Sequence, residues 1–214
     1  MEQLSRQQPV RHMLQRVSWL LLVRGGCCVT LGALALAAAD FPALVQLASA
    51  YAIADGFLAL ALGRAHVARG NGTFHPLWPL LLSGFAGLAS GALASSRVDA
   101  SAGFMVLGAG LFTRGVFEVL AAIVLRETGY DERLLGIAGL SALVTGALAA
   151  TCAFDVLAWR ILIGAHAAIT GAAMIVLALR VSSTADVEIS TPSSTRSTAM
   201  HPLHEPAEPP AALR

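Results

Sequence analysis

Four ionisable side chains, Arg24, Asp55, Arg114 and Glu118, sit inside stretches that are otherwise almost wholly apolar. On insertion scales a charge at the centre of a membrane-spanning helix costs about 2.5 to 3.5 kcal/mol, so such groups turn inward and pair. At about 1.5 Å of helical rise per residue, Arg24 lies roughly 12 Å inward from Arg16 and Asp55 roughly 13 Å inward from Arg64, a shared depth at which the two can meet. Arg114 and Glu118 are separated by one helical turn and share a face, and the internal repeats described below put Arg114 at the level of Asp55. The expected result is a neutral, embedded network of two arginines and two carboxylates. Its chemistry could be a proton or ion relay, or the polar wall of a small-ligand cavity. It could equally be a set of buried salt bridges that fix helix register and topology, and this structural role is the favoured one.

The same alignment puts His166 and Thr170 where a third copy of the network would sit, so the charges do not repeat threefold. A lone buried histidine is read as a neutral, hydrogen-bonded side chain, although it could take a proton in mild acid. His66 and His75 fall in a polar break, and His201 and His204 near the C-terminus, with no partner at ligand spacing; no metal site and no cofactor are expected. Cys27 and Cys28 are adjacent, so their side chains diverge by about 100° around a helix, and Cys152 has no obvious mate; all three are read as free thiols acting as small hydrophobes. There is no Gly-x-Ser-x-Gly elbow, phosphate loop, Cys-x-x-Cys or His-Glu-x-x-His, and no lysine for Schiff-base chemistry. The chain is therefore read as non-enzymatic.

The elements that must position these residues are set by hydropathy. The 214 residues are 56% hydrophobic and 13% charged, with a mean hydropathy of +0.70, against about a quarter charged in soluble domains. The net charge of +1 leaves no basic field to attract nucleic acid. Six apolar stretches, Val17–Ala39, Ala43–Gly63, Leu77–Ala94, Ala102–Leu125, Leu134–Phe154 and Trp159–Leu179, each approach the roughly 20 residues that cross a bilayer. The expected class is an all-α polytopic membrane protein, with a cytoplasmic N-terminal segment at 1–16, a six-helix domain at 17–180 and a disordered tail rich in Ser, Thr, Pro, Ala and Glu at 181–214. The lipid bilayer is its required partner; a homo-oligomer or a membrane partner protein is left open.

Internal similarity orders the six spans into three two-helix repeats, at about 17–69, 77–126 and 134–180. Gly25, Gly84 and Gly139 each precede, by seven residues, a Gly-Ala-Leu-Ala sequence that begins at Gly32, Gly91 and Gly146. The even spans share Ala50 and Gly56, Ala109 and Gly115, Ala165 and Gly171. Two spans per unit give all units one orientation, so a pseudo-threefold bundle about an axis along the membrane normal is predicted. Glycines seven apart line one helix face and allow close backbone approach. The first span resembles a secretory signal up to Ala37-Ala38-Ala39, but its match to the third and fifth spans makes it a part of the fold. Eight arginines, Arg6, Arg11, Arg16, Arg64, Arg69, Arg126, Arg133 and Arg180, flank one side of the spans against Arg97 and Arg160 on the other, which places both termini in the cytoplasm.

Laid out in this way, the chain resembles the HdeD family of small bacterial inner-membrane proteins from about Trp19 to Arg180. The likeness rests on Trp19-Leu20-Leu21-Leu22-Val23-Arg24-Gly25, Asp55-Gly56, Trp78-Pro79-Leu80-Leu81-Leu82-Ser83-Gly84, and Arg114-Gly115 with Glu118. It departs in lacking a turn proline after the third and fifth spans, Pro42 after the first being retained, and in its long polar tail. The resemblance implies a six-span protein of the bacterial cytoplasmic membrane, linked in founding members to acid resistance and stress survival. The alternative from the residues alone is a small transporter or proton or ion channel with the charge network as its pathway.

Overall fold

In a computed structural model the backbone is described for residues 2–67, 78–97, 99–127, 133–151 and 155–189, and the side chains for 18–64, 78–97, 99–126, 133–151 and 155–182. The described residues form six α-helices: α1 (Glu2–Ala37), α2 (Phe41–Val67), α3 (Trp78–Ser95), α4 (Ala100–Glu127), α5 (Arg133–Thr151) and α6 (Val156–Ile189). All six are long and apolar enough to cross a membrane. Four helices run past the spans expected from composition, α2 and α4 by two to four residues at an end and α1 and α6 by more. α1 begins at Glu2, ahead of the span, and α6 continues from Arg180 to Ile189, where neither Pro nor Gly interrupts helix propagation before Pro192. His66, expected in a polar break, lies in the last turn of α2, because the helix continues past Gly63 to Val67, and its side chain is not described; the rest of the tail, His75 and Cys152 lie outside the described residues.

An aspartate sets the start of each even-numbered helix. Asp40 Oδ1 accepts the Ala43 N–H at 2.8 Å and Asp155 Oδ1 the Ala158 N–H at 2.7 Å, both as N-caps that satisfy an otherwise orphaned donor. Asp99 accepts from the Ser101 N–H at 3.1 Å and the Ser101 hydroxyl at 2.8 Å. The Ser101 hydroxyl, helped by its backbone N–H, holds the Asp99 carboxyl below the usual carboxylate range. A depressed carboxyl supports its cap fully above the ordinary value of about pH 3.9 and loses it as pH falls through its own lower midpoint. Carbon-detected NMR of the Asp99 carboxyl is thus expected to titrate below that of a free aspartate; a midpoint at or above it contradicts the cap.

Each helix packs against its chain neighbours, and α6 returns to pack against α1, so the six close into a ring. Three of the seams are unusually close because glycines meet across them. A Cβ added to Gly56 on α2 would lie 2.8 Å from the Gly84 carbonyl of α3, one on Gly115 of α4 would lie 2.7 Å from the Gly139 carbonyl of α5, and one on Gly171 of α6 would lie 2.9 Å from the Gly25 carbonyl of α1. Such distances exclude any side chain, and contact between bare backbones supplies the dispersion that lipid cannot replace by a hydrophobic drive.

Between 33% and 50% of each span is buried in the bundle. The remainder carries large apolar side chains outward, among them Trp19, Phe57, Phe85, Met105 and Leu157. A surface of that kind matches hydrocarbon and not water. Inside, two apolar layers divide the bundle along its length. One, nearer the chain termini, contains Leu20, Leu62, Leu80, Leu125, Leu135 and Met174. The other contains Ala35, Leu44, Phe104, Trp159 and Ile163, with Phe104 tilted against Trp159 at 4.2 Å and against Phe41 at 5.3 Å between ring centroids.

Candidate functional site

The polar residues of the interior collect between these layers. Arg24 and Glu118 are 0% exposed, Asp55 1% and Arg114 3%, so none of the four faces lipid. The structure brings all four together, in a tighter arrangement than two separate couples. Arg24 donates from Nε to Asp55 Oδ1 at 2.7 Å, and from Nη2 to Asp55 Oδ2 at 3.3 Å and to Glu118 Oε1. Arg114 pairs through Nη1 with Asp55 Oδ2 and donates from Nε to Glu118 Oε1 at 3.0 Å. Each guanidinium thus serves both carboxylates, which closes a ring of alternating sign with no net charge. The fork of donors on arginine makes this possible; a point-charge ammonium could not address two carboxylates along fixed directions. The ring ties α1, α2 and α4 at one depth, and its i, i+4 pair on α4 is the only local contact in it.

His166 and Thr170 lie beside the ring, 5% and 0% exposed. They do not join it. Their partner is Ser141 of α5, whose hydroxyl lies 3.0 Å from His166 Nδ1 and 3.2 Å from Thr170 Oγ1 and donates to the Ala138 carbonyl at 2.8 Å. Cys27 and Cys28 are both free, but Cys28 is more than a small hydrophobe: its thiol lies 2.7 Å from the Tyr51 hydroxyl.

Ser141, Tyr51 and the Cys28 contact were not anticipated. Tyr51 could have been, because it precedes Asp55 by one turn, the spacing that joins Arg114 to Glu118 and His166 to Thr170. Nothing in the sequence sets Ser141 apart from the other hydroxyls of α5.

A cavity of about 60 Å³ adjoins the ring, and all six helices contribute to its wall. Arg114, His166, Tyr51, Ser90 and Thr145 supply its polar part, and Leu31, Phe104, Leu107 and Ile163 are among its apolar residues. Three buried polar atoms in this region have no hydrogen-bond partner: Arg114 Nη2, Glu118 Oε2 and His166 Nε2. The described residues thus hold a closed ion-pair ring, three unsatisfied buried atoms in and around it, and a mostly apolar cavity alongside. No family model matches the chain, nor does any curated protein or solved structure.

Proposed function

We propose that this is a non-enzymatic protein of the bacterial cytoplasmic membrane, of the HdeD-like stress-response kind, in which the ring of Arg24, Asp55, Arg114 and Glu118 acts as the lock of the helix bundle. The observation that carries this reading is the sharing of each guanidinium between both carboxylates, so that three helices are held at one depth by a unit whose charges cancel. Rotation or sliding of any one of them would strand a charge in hydrocarbon, which is a strong penalty against wrong registers. Three tandem repeats about a common axis belong to the same proposal. In support, the glycine contacts of the α2–α3, α4–α5 and α6–α1 seams are alike, and so is the spacing of the capping residues Asp40, Asp99 and Asp155. Both termini are assigned to the cytoplasm on the arginine bias, and the likeness to HdeD proteins rests on the order and spacing of its apolar, glycine-rich sequences.

A second reading, a small transporter or proton or ion channel, is favoured by the cavity at Arg114 and His166. Proton flux into proteoliposomes under an imposed pH gradient separates the two. With the ring as a lock, neither the native protein nor Asp55→Asn conducts above protein-free vesicles, and Asp55→Asn melts at lower temperature. Flux through the native protein that Asp55→Asn abolishes would replace the lock with the pathway.

A further inference from the structure

We infer that the central cavity is a binding site for a small apolar molecule of a few non-hydrogen atoms, drawn from the hydrocarbon of the bilayer and not from water. The inference goes beyond the role of the ring as a lock and does not depend on it.

The space arises from the side chains that the six helices bring together. Phe104, Leu107, Ile163 and Leu31 share its wall with the short side chains of Ala48 and Ala52, and where the side chains are short the bundle leaves room. The volume is about 60 Å³. One water needs roughly 10–15 Å³ of such space, and close-packed interiors hold few voids larger than one water. The cavity is therefore large enough to take a molecule.

The wall selects the occupant, because its surface is almost wholly apolar. The unsatisfied atoms nearby, Arg114 Nη2 and His166 Nε2, have essentially no accessible surface, so they offer nothing to a molecule in the space. The Ser90 hydroxyl donates to the Gly87 carbonyl of its own helix at 3.2 Å, and the Tyr51 hydroxyl is engaged with the Cys28 thiol at 2.7 Å. A buried water makes about three hydrogen bonds, and this wall provides little to make them with. A charged or strongly polar ligand would lose its hydration without replacement. An apolar molecule gives up no hydrogen bond on entering, and it restores the dispersion contacts that the lining forgoes across an empty space. Elsewhere, an apolar protein cavity of about 150 Å³ stays dry and takes up benzene or xenon. At about 60 Å³ the fitting occupants are smaller: a dissolved gas, or a very short alkane or haloalkane.

The membrane supplies such molecules. Apolar solutes concentrate in hydrocarbon because leaving water is favourable, and all six lining helices are candidate spans. Entry requires two helices to part briefly. The α1–α2 and α5–α6 seams are the route: none of the described glycines closes them, and they are the least closely packed neighbours in the ring. Side chains at a seam can change rotamer, whereas backbones in contact cannot step aside.

The test is diffraction from crystals of the full-length protein, with and without xenon under pressure, xenon being an apolar atom that scatters anomalously. An anomalous peak is expected inside the cavity, against Phe104, Leu107 and Ile163, and no ordered water is expected there without xenon. Leu107→Trp directs an indole into the space, two helical turns from Arg114, and is expected to lose the peak. In lipid nanodiscs, the same xenon pressure is expected to raise the melting temperature of the native protein but not of Leu107→Trp, since a ligand of the folded state stabilises it by mass action. Absence of xenon from the cavity of the native protein, xenon only on the lipid-facing surface, or an ordered water cluster in the space would each overturn the inference, and none of these results needs a variant to fold. A peak retained in Leu107→Trp, or an equal rise in melting temperature for both proteins, would overturn it as well. The lock is read from flux and melting of Asp55→Asn, so the two readings can fail separately.

Discussion

An Asp55→Ala variant is expected to lose about 3–5 kcal/mol of stability, the range for removing one partner of a buried ion pair. The loss follows from the ring geometry. Asp55 accepts from Arg24 at 2.7 Å and pairs with Arg114, so its removal leaves two guanidinium groups against one carboxylate inside the bundle. The uncompensated charge, more than the missing contact, carries the cost. Arg24→Met, which leaves a surplus negative charge, is expected to cost a similar amount. The double variant Arg24→Met with Asp55→Ala is then the decisive measurement. It restores neutrality and retains the i, i+4 pair of Arg114 Nε and Glu118 Oε1 at 3.0 Å, so it should lose clearly less than the two single losses combined. Reversible unfolding in mixed micelles, followed by circular dichroism, reads all three. Simple additivity would mean that the four residues do not act as one electrostatic unit.

The second large effect concerns a glycine seam. At Gly115 an added Cβ would approach the Leu143 backbone nitrogen to 2.6 Å and the Gly139 carbonyl to 2.7 Å, and neither is a flexible side-chain end that could step aside. Gly115→Val must therefore push α4 away from α5. Overpacking of this kind costs about 1–3 kcal/mol in well-packed interiors, and here the displacement also acts on Arg114, the adjacent residue in the ring. Gly26→Ala is the matched control, because a Cβ at that position meets nothing within 4 Å. The expected pattern is a marked fall in melting temperature for Gly115→Val and almost none for Gly26→Ala. Equal effects would show that glycine content, and not close backbone approach, matters at the seam.

Much of this fold was legible in one dimension. Six spans follow from hydropathy because each helix satisfies its own backbone hydrogen bonds and must match the bilayer thickness by itself. The depth of Arg24, Asp55, Arg114 and Glu118 follows from counting along rigid helices of known rise. The glycine faces follow from spacing, since positions seven apart recur on the same side. The capping aspartates were not anticipated, although Asp40, Asp99 and Asp155 each stand immediately before an even-numbered helix, where an N-cap is favoured.

What the tertiary structure decided is which faces meet, because azimuth and neighbour identity depend on the packing of helices distant in the chain. Pairing along single helices could suggest Arg114 with Glu118, but only the meeting of α1, α2 and α4 made each arginine serve both carboxylates. Likewise, the return of α6 to α1, the selection of Ser141 as the partner of His166, and the cavity that all six helices enclose belong to no segment alone. A span's length and polarity are fixed by its exchange with lipid, residue by residue, whereas contacts inside a closed ring of helices are settled jointly, by shape and by the cancellation of charge.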